Sequence, residues 1–174
     1  MDLKGKLEYA FHIEGMVDRD ELEVLNKYAA KVSDKGIIVD IGTADGKSAF
    51  SLALVSKPTV SVYTIDITAF ESYYKHLANL ELEDKLFHIE AKSQDIYDEW
   101  IKPIDMIFID GDHEYEGIKE DIVGWVPYVR PNGIVAFHDY GNPNFEVTEA
   151  IDEFEGKLFK KIEQHKLVYI AKKI

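Results

Sequence analysis

The chain has 174 residues, which is enough for a substantial hydrophobic core, and we expect a single domain over residues 1–174. It contains no cysteine, which excludes disulfides and thiolate metal sites, and its formal net charge of −13 argues against nucleic acids and anionic membranes as partners. The N-terminus has no apolar signal-peptide core and the apolar runs are too short to span a bilayer, so we expect a cytoplasmic protein.

A helix is the first predicted element, and it falls in an N-terminal helical lead-in over residues 1–33. Its pattern covers Val17–Val32, where apolar residues recur at helical spacing. Asp18 is the expected N-cap residue, and Glu21 lies three positions later, where its side chain can complete a capping box. We therefore expect this helix to pack against the elements that follow it.

Short apolar segments alternate with helical patterns along the next hundred residues of the chain, roughly one strand per helix. Strands are predicted at Ile37–Ile41, Val60–Ile65, Leu86–Ile89, Ile104–Ile109 and Ile134–Phe137. Helices are predicted at Ser48–Val55, Ala69–Leu82, Gln94–Ile101 and Tyr115–Val129, with Pro131-Asn132-Gly133 as the break after the last one. Strands and helices in alternation favour right-handed βαβ units, and so a parallel sheet with helices on both faces.

The C-terminal segment predicts a different kind of connection. A helix at Val147–Phe154 precedes two β-type runs, Phe159–Ile162 and Leu167–Ala171. Strands separated by so few residues cannot be joined by a helical crossover, so they should form an antiparallel hairpin at one edge of the sheet. The predicted fold class is therefore α/β: a Rossmann-like, mostly parallel sheet of seven strands that ends in a C-terminal antiparallel hairpin.

The first strand ends in a glycine-bearing turn, at the edge of the sheet where open α/β proteins bind their ligands. A turn that binds a dinucleotide carries three glycines in the pattern G-x-G-x-x-G. Gly42 is the first of these, but Ala44 and Lys47 occupy the other two positions. The turn therefore disfavours an NAD-dependent oxidoreductase.

The same segment places Asp40, Gly42, Gly46 and Ser48 in the order acidic-x-Gly-x-x-x-Gly-x-Ser. This pattern resembles the first motif of S-adenosylmethionine-dependent methyltransferases, and the class I members of that family share the layout of five parallel strands and a hairpin. The resemblance implies that Asp40, Gly42 and Gly46 bind the cofactor near its methionine end, with Ser48 beside them at the start of the next helix. A tight turn without a ligand is the alternative interpretation.

Two further segments fit the same cofactor. Asp66 follows the second strand directly, and a carboxylate there can accept hydrogen bonds from both hydroxyls of a ribose. Ser93 and Gln94 follow the third strand, and with Asp95 they resemble the Ser-Gln-Asp stretch that meets adenine in catechol O-methyltransferase-like enzymes. Helix capping by Ser93 and a solvated Asp66 are the alternatives, but three such segments in strand order favour S-adenosylmethionine.

Ionisable residues are concentrated after the fourth and fifth predicted strands. The segment Asp110-Gly111-Asp112-His113 follows one of them, and His138-Asp139-Tyr140 follows the other. Since adjacent strands end at the same rim of a sheet, both segments should border the ligand cleft. Together with Tyr115 they resemble the macrocin O-methyltransferase-like family, also described as methyltransferase 24, and more distantly the catechol type.

That resemblance implies a divalent cation, Mg²⁺ or Mn²⁺, bound by Asp110, His138 and Asp139. It also implies Asp112 as the general base, with His113 as a competitor because a neutral imidazole is a natural base near pH 7. His138 stands where metal-dependent relatives often carry an acid, and imidazole suits softer metals than magnesium. In the metal-free alternative, Asp112 or His113 takes the proton and Asp110 holds the amino group of the cofactor.

The function predicted from these residues is methyl transfer from S-adenosylmethionine to a hydroxyl oxygen of a small-molecule acceptor. Two alternatives stay open: a nitrogen acceptor, and a cofactor-binding domain without transferase activity. The sequence shows no insertion that would cap an acceptor pocket, so a second copy of the chain is a candidate for that wall.

Overall fold

Seven strands form one mixed sheet in the computed structural model, which describes residues 1–68 and 70–174 of the chain. The strands are β1 (Ile37–Ile41), β2 (Ser61–Asp66), β3 (Leu86–Glu90), β4 (Ile104–Ile109), β5 (Val129–Phe137), β6 (Phe159–His165) and β7 (Val168–Lys173). They lie in the order β3-β2-β1-β4-β5-β7-β6, with β1 to β5 parallel and β7 antiparallel to both β5 and β6. The predicted fold class, including the C-terminal antiparallel hairpin, is confirmed.

Helices cover both faces of this sheet. They are α1 (Leu3–Phe11), α2 (Arg19–Ala29), α3 (Lys47–Val55), α4 (Glu71–Leu80), α5 (Ser93–Ile96), α6 (Tyr115–Trp125) and α7 (Val147–Phe154). Side chains alternate between the faces: on β4, Met106 and Phe108 pack with α1 to α4, whereas Ile107 and Ile109 pack with α5 to α7. Within the described ranges, no helix combines the length and the apolar character needed to cross a bilayer.

The N-terminal segment contains two helices. The capping box predicted for α2 is present, and Glu21 Oε2 accepts a hydrogen bond from the backbone N–H of Asp18 at 2.9 Å. The sequence pattern does not predict α1, because Ala10 is the one buried residue of that helix and its apolar stripe is weak. Asp2 begins α1 by accepting the N–H of Gly5 at 2.8 Å.

The helix predicted at Gln94–Ile101 is wrong in its length, because α5 has only four residues and gives way to a 3₁₀ turn at Tyr97–Glu99. The backbone of Trp100 is extended, and its ring packs edge-on against Tyr63 and Trp125 at centroid distances of 5.2 and 5.3 Å. Packing of one large aromatic side chain therefore outweighs the helical pattern.

Other helix ends also differ from the prediction. The helix predicted at Tyr115–Val129 is shorter, because Pro127 has no N–H for an α-helical bond and the chain continues as a 3₁₀ turn. Helix α3 starts one position before Ser48, and α4 is shorter at both ends than the predicted Ala69–Leu82. Ala69 itself lies outside the described residues.

The fifth strand starts earlier than predicted. The sequence pattern gives Ile134–Phe137, but β5 already begins at Val129 and includes Pro131-Asn132-Gly133, which was expected to be a break. A register shift in the pairing with β4 absorbs these residues, and Asn132 takes a left-handed φ of +65°. Both hairpin strands are longer than predicted, and Lys166, also left-handed, lies in the turn between them.

Candidate active site

A cavity of about 1010 Å³ opens where the parallel strands end. Its wall is built from the segments that follow β1, β2, β3, β4 and β5, and Gly15 and Met16 from the α1–α2 connection form one side. Pockets for small molecules measure roughly 300–1,000 Å³. This cavity therefore has room for a cofactor and a second small molecule.

Gly42 lies where the loops after β1 and β4 touch. Its φ is +96°, and a Cβ added there would stand 2.0 Å from the carbonyl oxygen of Asp110. Its N–H donates to the carbonyl of Ile65 at 2.9 Å, which ties the loop to β2 as well. Gly42 lines the cavity, and no side chain can be accommodated at this position.

Asp40, Gly46 and Ser48 are buried and are not among the described residues of the cavity wall. Asp40 is completely buried; its Oδ2 accepts the hydroxyl of Thr64 at 2.7 Å, and burial raises the pKa of the carboxyl group to about 7. Gly46 begins α3 with a φ of +90°, and Phe50 occupies the space that a Cβ would need. The contacts of Asp40 and Gly46 are therefore internal to the protein, and cofactor binding by Asp40, Gly46 and Ser48 stays a prediction.

Asp66 lies at the wall of the cavity, at the end of β2. Its Oδ2 accepts the N–H of Ala44 at 2.9 Å, so the glycine loop fixes the orientation of the carboxylate. A carboxylate has about four lone-pair sites, and this contact leaves most of them available to hydroxyl donors. The geometry suits the vicinal hydroxyls of a ribose.

Ser93 and Gln94 both line the cavity, and both are held by a residue from another element. The Ser93 hydroxyl donates to Oδ1 of Asp121, and the Gln94 amide donates to the same oxygen at 3.0 Å. Asp121 lies on α6 and is 1% exposed, and burial raises its pKa to about 7. Asp121 is not among the residues predicted from the sequence, although a carboxylate between Ile118 and Ile122 on the apolar side of a helix is a signal for it.

Asp110, His113 and Asp139 converge at the other end of the wall. Each offers one ligand atom, and these atoms lie within 4.8 Å of one another. His113 Nε2 is 3.1 Å from Asp139 Oδ2 and 3.8 Å from Asp110 Oδ1, and its ring stacks on Phe145 at 4.3 Å. The carboxylate of Asp110, with the charges of Asp139 and Asp112, raises the pKa of His113.

His138 lies behind this group and is 3% exposed. Its Nδ1 is 3.3 Å from Asp110 Oδ1 and 3.2 Å from Asp139 Oδ2, and its Nε2 is 3.4 Å from Oε2 of Glu21. Burial lowers the pKa of His138, but the hydrogen bond and charge of Asp110, with the charges of Asp139 and Glu21, outweigh it and raise the pKa to about 9. Glu21 was predicted only as a capping residue, and it also reaches the site.

Asp112 is exposed at the rim of the cavity, next to His113 in the chain. Its Oδ1 accepts the N–H of Glu114 at 2.9 Å. Its side chain packs against the backbone of Gly117, since a Cβ added to Gly117 would be 2.2 Å from Oδ2 of Asp112. The predicted base is therefore held in place by the first turn of α6. The structure thus brings Asp110, Asp112, His113, His138 and Asp139 to one end of a single cavity, with Asp66, Ser93 and Gln94 along the same wall.

Comparison with known proteins identifies the family of the chain. Residues 39–140 match the family model for a methyltransferase domain of the methyltransferase 24 type, over more than half of the chain. The chain belongs to this methyltransferase family. The family predicted from the glycine turn and the acidic segments is confirmed, and S-adenosylmethionine is the cofactor of this methyltransferase family.

Similar solved structures agree with the fold. A Staphylococcus aureus protein whose suggested activity is that of a caffeoyl-CoA O-methyltransferase has a TM-score of 0.78 and 20% identity, over 99% of this chain and 92% of its own. The O-methyltransferase NovP has a TM-score of 0.72 and 15% identity, over 91% of this chain and 81% of its own. A suggested methyltransferase from Streptococcus mutans, solved in complex with S-adenosylhomocysteine, has a TM-score of 0.69 and 17% identity, over 91% of this chain and 100% of its own.

Curated relatives match over shorter stretches. The uncharacterized protein R132 of Acanthamoeba polyphaga mimivirus is 31% identical over an alignment of 115 residues, which covers 59% of this chain and 50% of that protein. The uncharacterized protein y4gI of Sinorhizobium fredii is 39% identical over 36 residues, which are 21% of this chain and 4% of that protein. The alignments thus span half or less of the length of these relatives.

Proposed function

We propose that this protein transfers a methyl group from S-adenosylmethionine to a hydroxyl oxygen of a small molecule, beside a divalent cation held by Asp110, His113 and Asp139. The proposal rests mainly on one cavity. Asp66 lies along its wall, where its carboxylate can accept hydrogen bonds from ribose hydroxyls, and the three possible metal ligands lie at its end. When bound, the cofactor supplies a methyl group on a positively charged sulfur, which is electrophilic without further activation. The protein has to align the reactants and remove a proton from the acceptor.

The residues present fit the cofactor. Asp66 is oriented by the glycine loop and retains lone pairs for the two hydroxyls of a ribose. Ser93, Gln94 and Asp121 form a polar patch farther along the same wall, where a purine edge can be bound. Since Gly42 brings the backbones of two loops together without a side chain, a ligand can pass close to both.

The charges present fit a divalent cation. Three carboxylates, those of Asp110, Asp139 and Glu21, face the rings of His138 and His113, so the group keeps a net charge of −1 even when both imidazoles are protonated (three negative, two positive). Both ring nitrogens of His138 face carboxylates, which supports His113 in its place as the third ligand. Two carboxylates and one imidazole suit Mn²⁺ better than Mg²⁺, since magnesium prefers oxygen ligands.

Asp112 is the proposed general base. It lines the cavity next to His113 and is exposed, so it can receive a proton from an acceptor hydroxyl and exchange it with solvent. A cation bound nearby would lower the pKa of that hydroxyl. Without the cation, the raised pKa of His113 favours its protonated form, which makes it a weaker candidate for the base.

Three observations support oxygen as the acceptor atom and a small molecule as the substrate. Two of the similar structures carry O-methyltransferase names, the caffeoyl-CoA type and NovP. The net charge of −13 disfavours polyanionic acceptors such as nucleic acids. Phe145, stacked on His113 at the cavity wall, offers an apolar surface on which an acceptor can rest.

Calorimetry and a turnover assay test the proposal. The purified protein should bind S-adenosylmethionine and S-adenosylhomocysteine but not NAD, and it should form S-adenosylhomocysteine when small hydroxyl compounds are supplied. EDTA should abolish turnover, and Mn²⁺ or Mg²⁺ should restore it. Turnover that ignores EDTA would contradict the cation, turnover only with amines would contradict the oxygen acceptor, and binding without turnover on any acceptor would favour a cofactor-binding domain.

A further inference from the structure

Asp121 has two carboxylate oxygens with different surroundings. Oδ1 accepts hydrogen bonds from Ser93 and Gln94, whereas Oδ2 is buried and has no hydrogen-bond partner among the described residues. Asp121 is a residue of the cavity wall, and its Oδ2 is 3.8 Å from the position that a Cβ on Gly111, another residue of that wall, would take. A buried carboxylate oxygen without a donor is costly, so a ligand that brings a donor to it gains binding energy.

The neighbourhood of Oδ2 requires a donor and not an acceptor. The hydroxyl of Ser93 and the amide of Gln94 both direct a donor to Oδ1, so those donors are used within the protein. The charges of Asp112 and Glu120 add negative potential near the carboxyl group. Above its pKa of about 7 Asp121 is ionised, and a ligand edge with a carbonyl oxygen then meets only acceptors, whereas an amino group complements them.

We infer that Asp121 selects the purine of the cofactor by accepting a hydrogen bond from its 6-amino group at Oδ2. The inference rests on the proposed function, because it takes the ligand of this cavity to be S-adenosylmethionine. A 6-oxopurine presents a carbonyl oxygen at the same place and leaves the buried carboxylate without a donor. Sites built to pair with one polar group discriminate strongly against analogues that lack it.

Burial and ligand binding act on the carboxyl group in opposite directions. Burial raises the pKa of Asp121 to about 7, which disfavours the charged acceptor in the free protein. A donor from the ligand favours that charged form. An amino group of the ligand would therefore give Oδ2 of Asp121 its first hydrogen bond, whereas Oδ1 already accepts two.

A structural role is the competing explanation, since Oδ1 alone would tie α5 to α6. The two accounts differ in whether the affinity depends on the group at position 6 of the purine. S-inosylhomocysteine, the 6-oxo analogue of S-adenosylhomocysteine, provides the comparison. Calorimetry at a pH above 8, where Asp121 is ionised, should give the wild-type protein a roughly tenfold to hundredfold preference for S-adenosylhomocysteine, the range expected of one charged hydrogen bond.

Asp121→Asn should bring the two affinities close to parity, because an amide can present either an oxygen or an N–H to the ligand. Glu116→Gln is the matched control: it removes the same charge from an exposed position of α6 outside the described cavity wall, so it should keep the wild-type preference. Circular dichroism and thermal unfolding verify that both variants are folded.

Two results would overturn the inference and leave the proposed function standing. If Asp121→Asn weakens binding of both compounds equally, Asp121 only supports the structure. If the wild-type protein binds both compounds with the same affinity, no residue reads position 6, and this result stands even if Asp121→Asn does not fold. A wild-type protein that binds neither compound would overturn the proposed function itself, and the inference with it.

Discussion

Two histidines contact the same pair of carboxylates, but their surroundings differ. His113 is half-buried, and its ring stacks on Phe145 at the wall of the cavity. His138 is enclosed, and each of its ring nitrogens lies within 3.4 Å of a carboxylate. The first arrangement leaves a side chain that can turn toward a ligand, and the second makes an internal positive charge that holds Asp110 and Asp139 together.

Substitution of the two histidines should therefore have different consequences. We expect His113→Ala to weaken Mn²⁺ binding by about tenfold or more, while the free energy of unfolding changes little. His138→Gln should destabilise the fold by roughly 3–5 kcal/mol, because it leaves buried carboxylates without their counter-charge. Calorimetric titration with Mn²⁺ and thermal unfolding in EDTA measure the two effects. An unchanged Mn²⁺ affinity in folded His113→Ala would remove His113 from the cation site.

The residues of this wall that directly follow a strand were predictable, because the apolar pattern of the sequence indicates where strands end. The roles of Asp121 and Glu21 were not predictable, for a physical reason. Asp121 is 27 positions from Gln94, and Glu21 is 117 positions from His138, so only the folded chain makes them neighbours. Their roles depend on tertiary contacts that no local spacing encodes.

At the scale of elements, the close approach of the loops after β1 and β4 shapes the cavity. Gly42 is the contact point, with the carbonyl of Asp110 in the space that a side chain would need. Asp110 in turn donates its N–H to the carbonyl of Ile41 at 2.8 Å, so the two loops are joined directly. A change at Gly42 should therefore displace Asp110 and the residues that follow it.

Gly42→Ala should destabilise the protein and abolish binding of S-adenosylhomocysteine. Gly156→Ala is a suitable control, since Gly156 also has a positive φ, +77°, but within the described part of the chain a Cβ there would meet nothing within 4 Å. The control should lose roughly 1–2 kcal/mol from the left-handed backbone alone and keep its affinity. Thermal unfolding measures the cost of the strained backbone, and calorimetry measures the effect of displacing Asp110 on ligand binding. Normal binding by Gly42→Ala would show that the contact between the two loops does not shape the site.

The order of elements was predictable because each strand and helix carries its own periodicity. Their ends were less predictable where tertiary packing decides them. Trp100 is extended and not helical, and its ring packs on Tyr63 and Trp125. In β5, a shift in the register of pairing with β4 accommodates Asn132. Both cases depend on a partner from a distant part of the chain, so a local window does not contain the deciding contact.

At the scale of the whole molecule, acidic residues lie in the protein interior as well as on its surface. The chain has a net charge of −13, and two of its carboxyl groups, Asp40 and Asp121, are buried with pKa values raised to about 7. His138 is buried with a pKa raised to about 9. Each of these groups holds a proton more tightly in the folded chain than in the unfolded chain, which links stability to pH.

The sign of that link is the same for all three groups. Between the ordinary carboxyl pKa of 3.8 and about 7, the folded state binds more protons at Asp40 and Asp121, so stability falls as pH rises through this range. The contribution of His138 is fully present below its ordinary pKa of 6.5 and is lost as pH rises through about 9. Asp110 acts oppositely, since its pKa is lowered by His113 and His138 against the effect of burial, but its stabilisation is lost only in strong acid.

We therefore expect the melting temperature of the protein in EDTA to be higher near pH 5.5 than near pH 8.5. Surface carboxylates are ionised at both pH values, so their mutual repulsion is present at both, and salt at about 0.5 M screens it. The buried groups should therefore dominate the difference between the two melting temperatures. Asp40→Asn and Asp121→Asn should each reduce the difference, because an amide of the same shape does not titrate, whereas the exposed Glu116→Gln should leave it unchanged. A melting temperature that rises from pH 5.5 to pH 8.5 would mean that Asp40 and Asp121 are ionised in the folded protein at acid pH and that the carboxylates of the cavity are stabilised by contacts other than those described.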